Sequence, residues 1–284
     1  MIDKLALIGT GLIGGSFALA LKQAGAVREV LGVGRTPASL NTALERGLID
    51  RVADWKDAGQ ADCILLALPV GETEAALKQL APHLKPDAIV TDAGSTKVNV
   101  VAAARAALGA RFPDFVPGHP IAGSEQSGPV AARADLYQGK KVVLTPLPET
   151  RATALETVKA LWHATGAQVE TLDVALHDRV FAAVSHLPHL AAFALVDELA
   201  QRADGDTYFH FAASGFRDFT RIAGSSPEMW RDIALANREA VLAELDAYIA
   251  ALKSLQAAVS TEDAVALLEI FSRARAAREH WLAT

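Results

Sequence analysis

Through the first half of the chain, short continuous apolar runs alternate with stretches of amphipathic spacing. The runs "KLALIG" (4–9), "EVLGVG" (29–34), "DCILLAL" (62–68), "AIVTDAG" (88–94), "FVPG" (115–118) and "KKVVLTP" (140–146) read as strands. Their lack of polar alternation is the mark of strands buried on both faces of a parallel sheet. Residues 12–25, 37–47 and 71–84 have helical spacing, and the first two end on Gly25 and Gly47, where a left-handed glycine closes a helix. Strands alternating with helices predict an α/β fold, its sheet covered by helices on both sides.

Beyond about residue 150 the pattern changes. "ETRATALETVKALWHATG" (149–166) reads as a helix, "AQVETL" (167–172) as one last strand, and the remainder as amphipathic helices. Between 227 and 255, Trp230, Ile233, Asn237, Val241, Leu245, Tyr248, Leu252 and Leu255 recur at intervals of three or four, one stripe on one helix. Ser226 before Pro227 is a start signal, a capping hydroxyl ahead of proline in the first turn. A final helix over 261–281 carries Val265, Leu268, Phe271 and Trp281. The pattern therefore predicts an α/β domain over 1–171 and an all-α domain over 172–284. Helices with such broad apolar faces suit a homodimer joined through the helical domain.

Composition narrows the partners. A formal net charge of −6 over 284 residues argues against nucleic acid or an anionic membrane surface. Cys63 is the only cysteine, which rules out an intramolecular disulfide and a cysteine-rich metal site. No signal-peptide layout opens the chain, and no apolar stretch approaches the roughly 20 residues of a membrane helix. The cytoplasm is the expected compartment.

"GTGLIG" (9–14) follows the first strand directly and opens the first helix. It fits G-x-G-x-x-G: Gly9 for the tight turn, Gly11 for close approach to a pyrophosphate, Gly14 for helix–strand packing. Thr10, Leu12 and Ile13 within the turn, with Leu68 ending the third strand run and Pro69 following it, complete the expected cofactor contacts, and the motif makes 1–171 a Rossmann-type dinucleotide-binding domain. A dinucleotide-binding strand selective for NAD ends in an acidic residue; here Gly34, Arg35 and Thr36 stand in that place. A guanidinium grips a 2′-phosphate that a carboxylate would repel, so NADP is favoured over NAD. An arginine stacked on adenine would tolerate both.

Loops at the carboxyl ends of such strands face the ligand crevice. "DAGSTK" (92–97) and "GHPIAGSEQSG" (118–128) are the chemically rich ones, and His119 in the second is a candidate base for a hydroxyl proton. Together with "HDRVFAAVSHLPH" (177–189) and "GFRDFTRIAGSSPEMWRDI" (215–233), these motifs resemble the prephenate and arogenate dehydrogenase family over nearly the whole chain. The resemblance implies oxidative decarboxylation of a cyclohexadienol in tyrosine biosynthesis. It implies His119 as acceptor for the C4 hydroxyl, Ser95 beside that hydroxyl and the nicotinamide, and Arg221 as the carboxylate binder. His189 is implied as a substrate-site residue, His186 as its support, and Asp218 and Trp230 as lining or bracing the cleft. Glu125 would receive the amine of arogenate or hold the loop, and the neutral Gln126 beside it leans toward prephenate. Lys97 matches a recurrent lysine with no role legible from sequence.

His186 and His189 lie three apart, with no third ligand at suitable spacing for a metal. Pro188 between them is expected to disturb the helix. The sequence ends with the last helix, so any feedback by tyrosine is expected at the active site itself. The alternatives are another two-domain NADP oxidoreductase, such as a β-hydroxyacid dehydrogenase or an imine reductase, and a non-catalytic NADP sensor.

Overall fold

Six strands run parallel in the order β3-β2-β1-β4-β5-β6 in the computed structural model, which describes residues 1–124 and 126–283. They are β1 (Ile2–Ile8), β2 (Val27–Val33), β3 (Arg51–Val52), β4 (Cys63–Leu66), β5 (Ile89–Asp92) and β6 (Phe115–Val116). The order reverses between β1 and β4, the switch point at which doubly wound sheets open a crevice. The continuous apolar runs are explained by their two faces. Leu5 and Leu7 of β1 join Phe17, Leu21, Val158 and Trp162 on one side, while Ala6 and Ile8 join Leu77, Leu80, Val100 and Ala104 on the other. Fully burying each such large apolar side chain stabilises the fold by about 1.5–3 kcal/mol.

A second, three-stranded sheet was not foreseen. It contains β7 (Gly118–Pro120), β8 (Lys141–Leu144) and β9 (Gln168–Thr171). β7 pairs antiparallel with β8, placing His119 opposite Val143. The histidine expected on a loop is therefore held in a strand. The two-residue β3 also escaped the sequence pattern, being too short to show one.

The helices of the α/β part are α1 (Leu12–Gln23), α2 (Pro37–Glu45), α3 (Trp55–Ala58), α4 (Thr73–Leu80), α5 (Val98–Leu108) and α6 (Ala152–Ala164). Then follow α7 (Val174–Phe181), α8 (Leu187–Ala200), α9 (Gly205–His210), α10 (Ser214–Thr220), α11 (Pro227–Ala236), α12 (Arg238–Ser260) and α13 (Ala264–Ala283). Contacts divide the chain into two units, Met1–Arg238 and Glu239–Thr284. The second unit is a pair of helices turning at Glu262, whose φ of 52° is left-handed, with the Asp263 carboxylate capping the next helix through the Ala266 N–H. Val265, Leu268 and Phe271 are exposed on it.

Two expectations about the helices are corrected. The stripe over 227–255 is broken at Asn237, whose backbone leaves the helix (φ −108°, ψ 33°) and whose amide donates to the Asp178 carbonyl at 2.7 Å. That bond holds the end of α11, which starts as expected with Ser226 capping the Met229 N–H. Secondly, Val174–Ala200 is one helical run of 27 residues containing an 18-residue window of mean hydropathy 1.5, long and apolar enough to cross a membrane by length and composition. His177, Asp178 and His186 on this run are buried and bonded within the protein, which accounts for it as a helix of the fold. Ahead of Pro188 the run widens into a π-turn over Ala182–His186. Proline lacks an N–H and its ring crowds the preceding turn, and the wider turn relieves both.

Candidate active site

Gly9 has φ +101°, and a Cβ there would lie 2.3 Å from the Ala67 carbonyl oxygen, so the turn after β1 admits only glycine. Gly11, the N-cap of α1, opens the other way: a Cβ on it would meet nothing within 4 Å. Open space therefore lies beside the N-terminus of α1, where a helix of this kind takes a pyrophosphate. Thr10 is buried in this turn, Leu12, Ile13 and Leu68 are half-buried beside it, and Pro69 is exposed. The turn fits a dinucleotide. Beyond β2, Gly34 is exposed, a Cβ on it would lie 3.2 Å from the Leu40 side chain, and Thr36 bonds the Ser39 hydroxyl at 2.8 Å. Arg35 projects into solvent and its Nη1 meets Glu72 Oε1 at 2.6 Å.

The second part of the site is a cleft of about 470 Å³, within the range of small-molecule pockets. His119, Phe181, Ser185, His189, Arg221 and Trp230 are among its walls. Thus His119 and Arg221, about a hundred positions apart in sequence, open onto one space. His189 stacks on Trp230, ring centroids 3.6 Å apart at 21°, and its Nδ1 donates to the Ser185 carbonyl at 2.9 Å. This leaves its Nε2 for the cleft. Burial lowers the His189 pKa below its ordinary value, with the Arg221 charge adding and the Ser185 bond opposing.

His119 is held from behind. Its Nδ1 lies 2.9 Å from Nε2 of His177, and Nδ1 of His177 lies 2.8 Å from Oδ1 of Asp178. Asp178 is buried where α7 meets the start of α5, and accepts from the Lys97 N–H (2.7 Å) and the Val98 N–H (2.9 Å). Burial pushes its pKa up, but the bonds from His177, Val98 and Lys97 prevail, and it stays below the usual carboxylate range. An ionised Asp178 fixes the rest. His177 donates to it from Nδ1, so its Nε2 is a lone pair; His119 must then donate from Nδ1, leaving its own Nε2 unprotonated. Burial above all, then the nearby His177, Lys97 and His186, hold the His119 pKa well below 6.5. The ring is a neutral base at pH 7.

The peptide ahead of His119 is clamped as well. Asp92, at the end of β5, accepts from the Gly118 N–H at 3.0 Å, and the wholly buried Lys97 ammonium bridges Asp92 to the Gly118 carbonyl at 2.7 Å. Lys97 thereby has a role: it ties the "DAGSTK" loop to the strand that carries the base. Burial pulls its pKa down against the opposing pull of Asp92.

The remaining expected residues fall outside the cleft walls. Ser95 is half-buried in the loop between Asp92 and Lys97, and Asp218 is exposed on α10. His186 is buried behind the cleft, its Nδ1 3.2 Å from the Asn237 amide, a support rather than a wall. Glu125 lies outside the described residues. His177 and Asp178, which complete the base, were not singled out from sequence. Their signal was the adjacent polar pair at the head of "HDRVFAAVSHLPH", placed on an apolar helix.

The chain is similar to known proteins over nearly its whole length. The nucleotide-binding domain of prephenate dehydrogenase matches residues 17–171, and the dimerization domain of prephenate dehydrogenase matches 173–273. The chain is 38% identical to prephenate dehydrogenase of Bacillus subtilis, covering 98% of this chain and 76% of that one. It is 37% identical to cyclohexadienyl dehydrogenase of Zymomonas mobilis, covering 98% and 96%. Prephenate dehydrogenase of Aquifex aeolicus, solved with hydroxyphenyl propionate and NAD+, superposes with a TM-score of 0.92 at 38% identity over 99% of this chain and 98% of that one. Synechocystis arogenate dehydrogenase gives 0.82 at 31% identity over 98% and 99%.

Proposed function

The chain belongs to the prephenate dehydrogenase family of NAD-dependent oxidoreductases, and from that premise we propose that it oxidatively decarboxylates prephenate in tyrosine biosynthesis, with NADP favoured over NAD. The observation that carries the reading is the shared cleft, with a neutral imidazole on one wall and a guanidinium on another.

The substrate ring lies against Phe181, its C4 hydroxyl on Nε2 of His119 and a carboxylate on the Arg221 fork. As the C4–H bond breaks, His119 takes the hydroxyl proton, and the bound nicotinamide supplies the acceptor for the hydride. The C1–carboxylate bond then breaks, carbon dioxide leaves, and its electron pair makes the ring aromatic. The phenolic oxygen recovers the proton from His119, so none is consumed overall. His177 and Asp178 steady the transient imidazolium without taking its proton. Aromatisation supplies the driving force, leaving the protein to orient the ring and move one proton.

Arg35 supports NADP as the favoured cofactor, and the neutral Gln126 supports prephenate over arogenate. On family resemblance Ser95 is assigned to the C4 hydroxyl and nicotinamide, Glu125 to the amine of arogenate or to holding its loop, and Asp218 to lining or bracing the cleft. We assign 1–171 to dinucleotide binding and 172–284 to substrate binding and a homodimer interface. The dimerization-domain match and the exposed Val265, Leu268 and Phe271 support the latter. A lone buried Cys63 supports a cytoplasmic location. Initial rates with prephenate and arogenate, each crossed with NADP and NAD, test the reading. It expects the highest kcat/KM for prephenate with NADP, and turnover of neither substrate contradicts it.

A further inference from the structure

The dinucleotide site has no carboxylate at the end of β2, yet one reaches the same place from another loop. Glu72, in the turn after β4, sits 2.6 Å from the Arg35 guanidinium. β2 and β4 flank β1 on opposite sides, so the pair spans the carboxyl end of β1, where the glycine turn begins. In a sheet of this kind that is where a dinucleotide lies. The turn holding Glu72 is itself fixed. The Glu72 N–H donates to the Pro69 carbonyl at 2.9 Å, and Val70 is buried with Trp230 and Ile233 of α11. A Cβ on Gly71 would lie 3.2 Å from the Asp232 carboxylate, so the turn packs closely on the same helix.

We infer that Glu72 sets the balance between NADP and NAD, tempering the preference that Arg35 confers; this rests on the reading of the Gly9–Gly14 turn as the dinucleotide site. A 2′-phosphate must draw the guanidinium away from Glu72 and then lie beside a carboxylate. A 2′-hydroxyl can donate to that carboxylate while Arg35 keeps its partner. Glu72 thus does for NAD what an acid at the end of β2 does elsewhere, and the chain takes NADP through Arg35 and NAD through Glu72.

The test is titration of the full-length protein with NADPH and NADH, read by cofactor fluorescence without substrate. Glu72→Gln removes one like charge close to the phosphate in a partly solvated setting. It should shift the NADPH-to-NADH affinity ratio toward NADPH by about tenfold. Glu72→Ala should shift it the same way, which guards against a folding defect peculiar to one variant. Arg35→Ala should weaken NADPH by about tenfold or more and leave NADH within about threefold. An unchanged ratio in both Glu72 variants, with Arg35→Ala behaving as stated, overturns the role of Glu72 alone. Binding of neither dinucleotide by the unaltered protein overturns the cofactor site and this inference together.

Discussion

Nδ1 of His119 and Nε2 of His177 lie 2.9 Å apart, though 58 positions separate the residues in the chain. Because Asp178 holds His177 in one tautomer, the pair sets which nitrogen of His119 is free to accept a proton. Asp178→Asn keeps only one of the two oxygens that accept from the Lys97 and Val98 N–H groups, and no longer commits His177 to donating. We expect kcat to fall about 100-fold or more, with dinucleotide affinity little changed. His177→Gln combined with it should cost little beyond either alone, since the residues act as one unit. Steady-state kinetics of the three variants checks this.

The pH dependence follows from burial. His119 is kept neutral well below pH 6.5 by desolvation and by the neighbouring His177, Lys97 and His186. As the neutral form is the active one, kcat/KM should stay level from pH 8 down to about 6.5 and fall only at more acid pH. An acid limb centred at or above 6.5 would mean that the ring is solvated.

Lys97→Met strips the buried Asp92 carboxylate of its counter-charge and the Gly118 carbonyl of a donor. Breaking one side of such a buried pair costs about 3–5 kcal/mol. The melting temperature should drop accordingly. Pairing it with Asp92→Asn should recover part of the loss, because no charge is then left unmatched.

Arg221 lines the cleft and is proposed as its carboxylate fork. Arg221→Lys keeps the charge but loses the two parallel bonds, and should raise KM for prephenate about tenfold; Arg221→Ala should raise it further. Dinucleotide affinity, read by fluorescence, should be unaffected by both.

Much of the scaffold was legible in the chain because its physics is local. Doubly buried strands such as 62–68 read as unbroken apolar runs, and the glycines at 9, 11 and 14 announce a turn that side chains cannot make. His119 and Arg221, singled out through their motifs, line one cleft. What stayed hidden depends on contacts distant in sequence. The second sheet forms because Gly118–Pro120 pairs with Lys141–Leu144, a register no local pattern encodes. Asn237 fits the apolar stripe by spacing alone, and only the Asp178 carbonyl opposite shows why the helix stops there. Lys97 and His177 would pass for ordinary polar residues of a loop and a helix. Their burial, and the groups they meet, exist only once the chain is folded.

The most direct test of the account is His119→Asn, assayed for prephenate-dependent NADPH or NADH formation alongside a fluorescence titration of the cofactor. The prediction is a kcat at least about 100-fold lower with cofactor affinity retained. A variant that turns prephenate over at the unaltered rate would contradict the assignment of His119 as the base.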